Sequence, residues 1–392
     1  MKQVYLDNNA TTRMAPEVLE AMQPFFTELW GNPSSMHVFG GQVRKHIERA
    51  RAQVAALIGA DPSEIVFTSG GTESDNMAIR GAAEAAGPAA QLLTTRVEHP
   101  AVLEPCRLLK ERGWSLVEMA VDNLGRLQLA DLQEALSLGR TVASIMWANN
   151  ETGVVFPMAR IAELVKAAGG ILHTDAVQAV GKAPIDVRQV PVDLLTLSGH
   201  KLHAPKGVGA LYIRRGTRLP PLLLGGHQEA GRRAGTENVP YIVALGLACE
   251  LARQQLEDGM RQMAQLRDQL QAGILQACPD VSINGDLEQR LPNTLNISFQ
   301  YIEGESILYH LSDYGIAAAS GSACSSGALE PSHVIRAMGV PFMAVHGSIR
   351  FSLSRYTTAA EIAYVLEHLP PIIARLRAIS PFSASNAAVP EP

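Results

Sequence analysis

Val192-Asp193-Leu194-Leu195-Thr196-Leu197-Ser198-Gly199-His200-Lys201 reads as a strand that ends in small and polar residues and presents one lysine beside a histidine. Working outward, the same rhythm repeats. Strand candidates are Gln91–Thr95, Trp114–Met119, Thr141–Trp147, Ile171–Thr174 and Gly209–Ile213, with helical stretches at Ala101–Glu111, Ala130–Leu138 and Met158–Ala168. Strands alternating with helices imply an α/β fold, with a mostly parallel central sheet covered on both faces. In such sheets ligands collect beyond the carboxyl ends of the strands. Most of the chemically interesting residues here follow a strand.

Toward the start, Pro16–Leu29 reads as one helix with proline in its first turn and Val18, Leu19 and Met22 on one face. An amphipathic helix from Gly40 to Ile58, a strand Ile65–Ser69 and a turn Gly70–Ser74 into a further helix follow. Past Tyr241 the rhythm changes. A long helical stretch to Ala277 leads into the strand Thr294–Phe299, a helix at Glu305–Tyr314, a Gly/Ser loop around Cys324, the strand Ser348–Ser352 and a last helix at Ala359–Ile379. The expected division is a large domain over 16–258 and a smaller α+β domain from 1–15 and 259–382. The Ala/Ser/Pro-rich segment 383–392 is expected to be a disordered tail.

Composition narrows the function. The 392 residues are 47% hydrophobic, enough for a sizeable core, and 33 Lys+Arg against 38 Asp+Glu leave a net charge of -5. That balance carries no electrostatic footprint for nucleic acid. The first residues lack the apolar core of a secretory signal, and no apolar run is long enough to span a bilayer, so no membrane role is expected. Four scattered cysteines suggest neither a disulfide framework nor a metal site, and a reducing cytoplasm is the expected compartment.

Lysine is scarce: Lys2, Lys45, Lys110, Lys166, Lys182, Lys201 and Lys206 are all there are. Only Lys201 directly follows a buried strand, with Ser198 and His200 beside it as hydroxyl and imidazole donors; Lys206 is its one serious rival. A lysine amine is the natural partner of a cofactor aldehyde. Gly71-Thr72-Glu73, between strand and helix, is either a phosphate site made of backbone N–H groups or an ordinary helix cap. His99 either sits as a satisfied loop histidine or stacks on a flat cofactor and shuttles protons. Asn149-Asn150-Glu151-Thr152-Gly153 is a polar cluster after a strand. Asp175 closes a buried strand, where a carboxylate needs a cation or donors. A protonated pyridine nitrogen is one such partner, with Gln178 placed to donate to a ring oxygen; a helix cap is the other reading. Taken in chain order, these residues supply every contact that pyridoxal phosphate needs. Cys106, Cys249 and Cys278 read as structural thiols. Cys324 stands apart in Ala319-Ser320-Gly321-Ser322-Ala323-Cys324-Ser325-Ser326-Gly327, an uncrowded segment suited to a nucleophile. Arg350 either clamps a carboxylate or makes a structural ion pair.

The chain resembles the cysteine desulfurases of the class V pyridoxal-phosphate aminotransferase group. The likeness rests on Tyr5-Leu6-Asp7-Asn8-Asn9-Ala10-Thr11-Thr12, Phe67-Thr68-Ser69-Gly70-Gly71-Thr72-Glu73-Ser74-Asp75-Asn76, Glu98-His99, Asn149 to Gly153, His173-Thr174-Asp175-Ala176-Val177-Gln178, Ser198-Gly199-His200-Lys201, Arg233-Ala234-Gly235-Thr236, the Cys324 segment and Ser348-Ile349-Arg350-Phe351-Ser352. It implies the type I pyridoxal-phosphate transferase fold, a homodimer and pyridoxal 5'-phosphate as cofactor. The phosphate falls to Thr72, Ser198 and His200, with Thr236 reaching that of the neighbouring subunit. Asp175 takes the pyridine nitrogen, Gln178 the ring hydroxyl and His99 the ring face, and Asn150 and Arg350 hold the substrate carboxylate. The segment Ser325-Ser326-Gly327-Ala328-Leu329-Glu330-Pro331-Ser332-His333 and the opening Asp7-Asn8-Asn9 are most similar to the NifS type, associated with nitrogenase cluster assembly.

The reaction so implied converts L-cysteine to L-alanine, with sulfur held as a persulfide on Cys324 and passed to an iron–sulfur scaffold or other acceptor protein. Lys201 removes the α-proton, and His99 carries protons. No resident metal is expected, and Cys324 would meet a cluster only during transfer. A housekeeping desulfurase, a selenocysteine lyase and an aminotransferase of the same fold are the alternatives; the aminotransferase leaves Cys324 without a task.

Overall fold

The structure, a computed structural model, describes residues 2–320 and 331–382. Cys324 and the expected tail 383–392 lie outside the described residues. The strands in chain order are β1 (Val4–Tyr5), β2 (Ile65–Thr68), β3 (Gln91–Thr95), β4 (Ser115–Met119), β5 (Thr141–Ser144), β6 (Ile171–Asp175), β7 (Leu194–Ser198), β8 (Gly209–Ile213), β9 (Val281–Ile283), β10 (Thr294–Phe299), β11 (Ile316–Ala317) and β12 (Ser348–Ser352). Seven of them form one sheet in the order β2-β8-β7-β6-β5-β3-β4. Every pairing from β4 through β7 is parallel, while β8 is antiparallel to both β7 and β2. Only β8 therefore runs against the rest. Its connection to β7, residues 199–208, is too short for the crossover that a parallel pair needs. The mostly parallel sheet expected from the alternating pattern is present.

Alternating side chains of the strands feed two apolar layers. Ile65, Phe67, Leu195, Leu197, Ala210 and Tyr212 join one buried cluster with helices Val38–Ile58 and Val239–Gln254. Val66, Leu194, Leu211 and Ile213 join the other, with helices Gly71–Ala86 and Pro100–Glu111. A strand buried on both faces has no polar side, which is why these runs read as continuous apolar sequence.

A separate core surrounds the three-stranded antiparallel sheet β12-β10-β9. There Leu295, Ile297, Ile349 and Phe351 pack with Leu270 and Ile274 of helix Leu256–Ala277 and with Val365 and Leu369 of helix Ala359–Ile379. The first residues of the chain belong to this core. Strand β1 pairs with β11, and Val4 and Leu6 are buried in it.

Three expected elements are split or shortened by more than two residues. The helix expected over Pro16–Leu29 is two, Pro16–Met22 and Pro24–Thr27, because Pro24 brings no N–H to continue the ladder. The stretch Tyr241–Ala277 breaks at Gln255, whose φ of -105° and ψ of 10° fall outside the helical region. The strand expected to reach Trp147 ends at Ser144, although the N–H groups of Ile145 and Trp147 still donate to the carbonyls of His173 and Asp175.

Candidate active site

The carboxyl ends of β2, β5, β6 and β7 open on one cavity of about 300 Å³. Gly71, Thr72, His99, Asn150, Asp175, Gln178, Ser198, His200, Lys201 and Arg350 all line it. These are the expected site residues apart from Thr236 and Cys324. Thr236 is exposed and does not line the cavity, and Cys324 is outside the described residues.

Helix Gly71–Ala86 starts here without a side-chain cap. Its first N–H groups have no intrahelical partner and carry the positive end of the helix dipole. Glu73, in the first turn, accepts from Ser69 N at 2.8 Å and pairs with Arg233 at 2.8 Å, which holds its carboxyl below the usual range against the opposing effect of burial. A Cβ at Gly71 would approach Val177 Cγ2 to 3.1 Å, so glycine leaves the backbone accessible at a crowded point of the wall.

Asp175 ends β6, and its Oδ1 accepts from Val177 N at 2.9 Å. Burial raises its carboxyl above the ordinary range, and His99, when protonated, and then Lys201 pull it back. Below it lies Asp75, raised well above the usual range by burial and then by the negative charge of Asp175. Glu98, pushed up to about 8 by burial, accepts from Thr95 Oγ1 at 2.8 Å and Met146 N at 2.9 Å. Burial and the neighbouring carboxylates thus favour the protonated forms of Asp75 and Glu98, whereas His99 and Lys201 oppose the upward shift of Asp175. Burial also keeps His173 neutral, at about 3, between Ser144 at 2.8 Å and Thr196 at 3.0 Å.

His99 caps helix Pro100–Glu111 by accepting from Ala101 N through Nδ1 at 3.1 Å. His99 is thus satisfied through Nδ1 and still lines the cavity, and the bond places the proton of the neutral ring on Nε2. Burial lowers the pKa of His99. His200 is pushed down to about 4, by burial and then by Lys201 and further positive neighbours, and its Nδ1 lies 3.2 Å from Thr11 Oγ1.

Lys201 follows β7 in a single 3-10 turn, Gly199–Lys201, and its Nζ donates to the carbonyls of Asn9 at 2.5 Å and Ala10 at 2.6 Å. Gln178 Nε2 donates to the same Asn9 carbonyl at 2.9 Å. Asn9 is tied in turn to Thr294 Oγ1 at 2.8 Å and Asn293 at 2.9 Å, so the smaller core supplies a wall of the cavity. Arg350 donates through Nη2 to Asp7 at 2.7 Å and through Nη1 to the Asn150 carbonyl at 3.0 Å. The structural ion pair considered for Arg350 thus exists, and its buried Nε has no partner among the described residues.

Sequence reading passed over Asn9, Asp75, Glu98 and Lys182 as individual site residues. Asn9 stood inside a singled-out cluster, and Glu98 beside His99. Lys182 resembled a turn residue but is buried, with Nζ 3.0 Å from Gln178 Oε1. The rival lysine, Lys206, is exposed and lines no part of the cavity. Cys106, Cys249 and Cys278 are buried free thiols, with Cys106 pushed up to about 12 by burial. No group of side chains among the described residues could hold a metal ion, and no helix among them is long and apolar enough to cross a membrane.

The family model for aminotransferase class V matches residues 4–365. A cysteine desulfurase of Trichormus azollae is 57% identical over 99% of this chain and 97% of its own length. The cysteine desulfurase NifS of Azotobacter vinelandii is 55% identical over 100% and 98%. Among solved structures, a NifS-like protein superposes with a TM-score of 0.90 at 39% identity, covering 96% of this chain and all of that one. A structure described as SspA in complex with cysteine gives 0.81 at 34%, covering 91% and 100%. The seven-stranded sheet with its smaller α+β unit is the type I pyridoxal-phosphate transferase fold. Matched along nearly its full length by that model and by relatives above half identity, the chain belongs to the aminotransferase class-V family, among its cysteine desulfurases.

Proposed function

We propose that this protein is a pyridoxal 5'-phosphate-dependent cysteine desulfurase that converts L-cysteine to L-alanine and keeps the sulfur as a persulfide on Cys324. The supporting observation is one cavity that joins an amine, an ionisable strand-end carboxylate, an uncapped helix start and a partly unsatisfied guanidinium. The residues fit the cofactor. Thr72, Ser198, His200 and the first N–H groups of helix Gly71–Ala86 would hold the phosphate, and Asp175 the ring nitrogen, keeping its proton in place. Gln178 would donate to the ring oxygen, His99 would cover the ring face, and Lys201 would carry the covalent link. When bound, the cofactor supplies an electron sink for charge at the substrate α-carbon.

Arg350 and Asn150 orient the substrate carboxylate. Lys201, once released, takes the α-proton, and neutral His99 is placed to move a proton at Nε2. Cys324 thiolate takes the substrate sulfur, so one C–S bond breaks, one S–S bond forms and alanine leaves. The exposed position of Thr236 fits a contact made across a homodimer. The separate core around β12-β10-β9 supports a large domain over 16–258 and a small one from 1–15 and 259–382, with Leu291, Val334, Ile335, Met338 and Val345 packing against the large one. Identity to the Azotobacter NifS supports delivery to an iron–sulfur scaffold serving nitrogenase, and the free buried thiols fit a reducing cytoplasm.

The test is product analysis. Incubated with L-cysteine and no keto acid, the holoenzyme should release alanine, and the Cys324 peptide should gain one sulfur atom by mass spectrometry. A keto-acid product with unmodified Cys324 would establish the aminotransferase instead. In steady-state kinetics, Arg350→Gln should lower kcat/KM for L-cysteine about 10- to 100-fold, mostly through KM, since a charge-assisted hydrogen bond contributes about 1.5–3 kcal/mol.

A further inference from the structure

Lys182 lies behind the cavity wall, only 6% exposed. Its Nζ donates to two oxygens of one residue, the Gln178 carbonyl at 3.2 Å and Gln178 Oε1 at 3.0 Å. No carboxylate pairs with it among the described residues, and the charges that act on it, Lys201 and Arg350, are positive. Burial and then those charges push its ammonium down to about 7. An amine buried among cations is destabilising unless something else requires it.

Both partners of Nζ are oxygens that only accept, and a lysine amine has protons to donate whether charged or neutral. The side-chain amide of Gln178 therefore has one favoured orientation. Oε1 is turned back to Lys182, while Nε2 faces the opposite way and gives one proton to the Asn9 carbonyl at 2.9 Å. An amide nitrogen carries two protons, so one remains for a ligand in the cavity that Gln178 lines. A half-turn of the amide would present an acceptor there instead.

We propose that Lys182 is a positioning residue that holds the Gln178 amide with its nitrogen toward the cavity, so that the ring oxygen of bound pyridoxal phosphate meets a donor. This rests on the cofactor reading above. It assigns Lys182 no contact with substrate or cofactor; its action passes through Gln178.

The experiment follows the visible absorption of the bound cofactor against pH in five holoenzymes: wild type, Lys182→Met, Lys182→Arg, Gln178→Ala and the Lys182→Met/Gln178→Ala double variant. Loss of a donor to the ring oxygen favours the protonated form, so the midpoint in Lys182→Met should rise by about half a pH unit or more. Lys182→Arg, which keeps donors for both oxygens, should stay near wild type. The double variant should match Gln178→Ala alone, since without the amide Lys182 has nothing to orient. A wild-type midpoint in Lys182→Met would overturn the proposal. So would an equal Lys182→Met shift in the Gln178→Ala background, which would mean that the lysine charge acts directly. If Lys182→Met does not accumulate folded, Lys182→Cys, also unable to reach the amide, takes its place with the same expected results. A wild type with no visible band and no borohydride label on Lys201 would instead overturn the cofactor reading and this proposal with it.

Discussion

Lys201→Ala is expected to reduce alanine formation from L-cysteine about 10³-fold or more, because one substitution removes both the covalent anchor and the base. Borohydride treatment should couple cofactor to the Lys201 peptide in the wild type and to no peptide in the variant. The phosphate contacts are untouched, so the variant should still bind pyridoxal phosphate, which ultrafiltration and absorbance can check. The geometry makes this a sharp test. Lys201 is the lysine lining the cavity, held by the Asn9 and Ala10 carbonyls. Lys206 is exposed, and Lys182 is occupied with Gln178 behind the wall. A label appearing on Lys206 in the wild type would overturn the assignment.

How much of this was legible depends on the range of the interactions. Strands β2, β7 and β8 could be read because burial on both faces leaves short runs that are mostly apolar. Asp175, Ser198 and Lys201 could be found because a parallel sheet gathers functional groups at the ends of its strands. Their mutual register, Asp175 opposite Thr196 with Ser198 two residues further along β7, was not available from either segment alone. Pairings between distant segments were hidden. Asn9 meets Thr294 and Asn293, and Asp7 meets Arg350; no local pattern announces contacts 284 to 343 residues apart. Strands β1 and β11, two residues each, are too short to show any periodicity.

Lys182, Asp75 and Glu98 were missed for a different reason. A charged residue in a helix or turn normally faces water, and only the assembled packing shows that these three do not. Burial gives them their altered protonation, and burial is what a single sequence reports least directly. The direction of β8 was legible in principle, since the chain length after β7 forbids a crossover, yet the alternating pattern alone suggests another parallel strand.

Cys324→Ala is expected to abolish persulfide formation and cut alanine production about 10³-fold or more, as loss of a nucleophile does elsewhere, while leaving the cofactor's absorbance and the borohydride label on Lys201 unchanged. No other described thiol can replace it. The attacking species is the thiolate, and burial raises the pKa of Cys106, Cys249 and Cys278 well clear of neutrality. None of the three lines the cavity. The chain on either side of the Cys324 segment is fastened to the site. Ala319 exchanges backbone hydrogen bonds with Arg350, at 3.2 and 2.6 Å, Ser332 bonds to the buried Glu151, and His333 Nε2 lies 2.9 Å from the Glu98 carbonyl, one residue from His99. Cys324 comes five residues after Ala319, so its attachment points lie beside the groups proposed to hold the substrate. The two variants should therefore fail differently: Lys201→Ala without a borohydride label, Cys324→Ala with the label intact and no sulfur bound. If Cys324→Ala still released alanine at the wild-type rate, the sulfur would be passing to another acceptor, such as the thiol of a second free cysteine, and Cys324 would have no part in the chemistry.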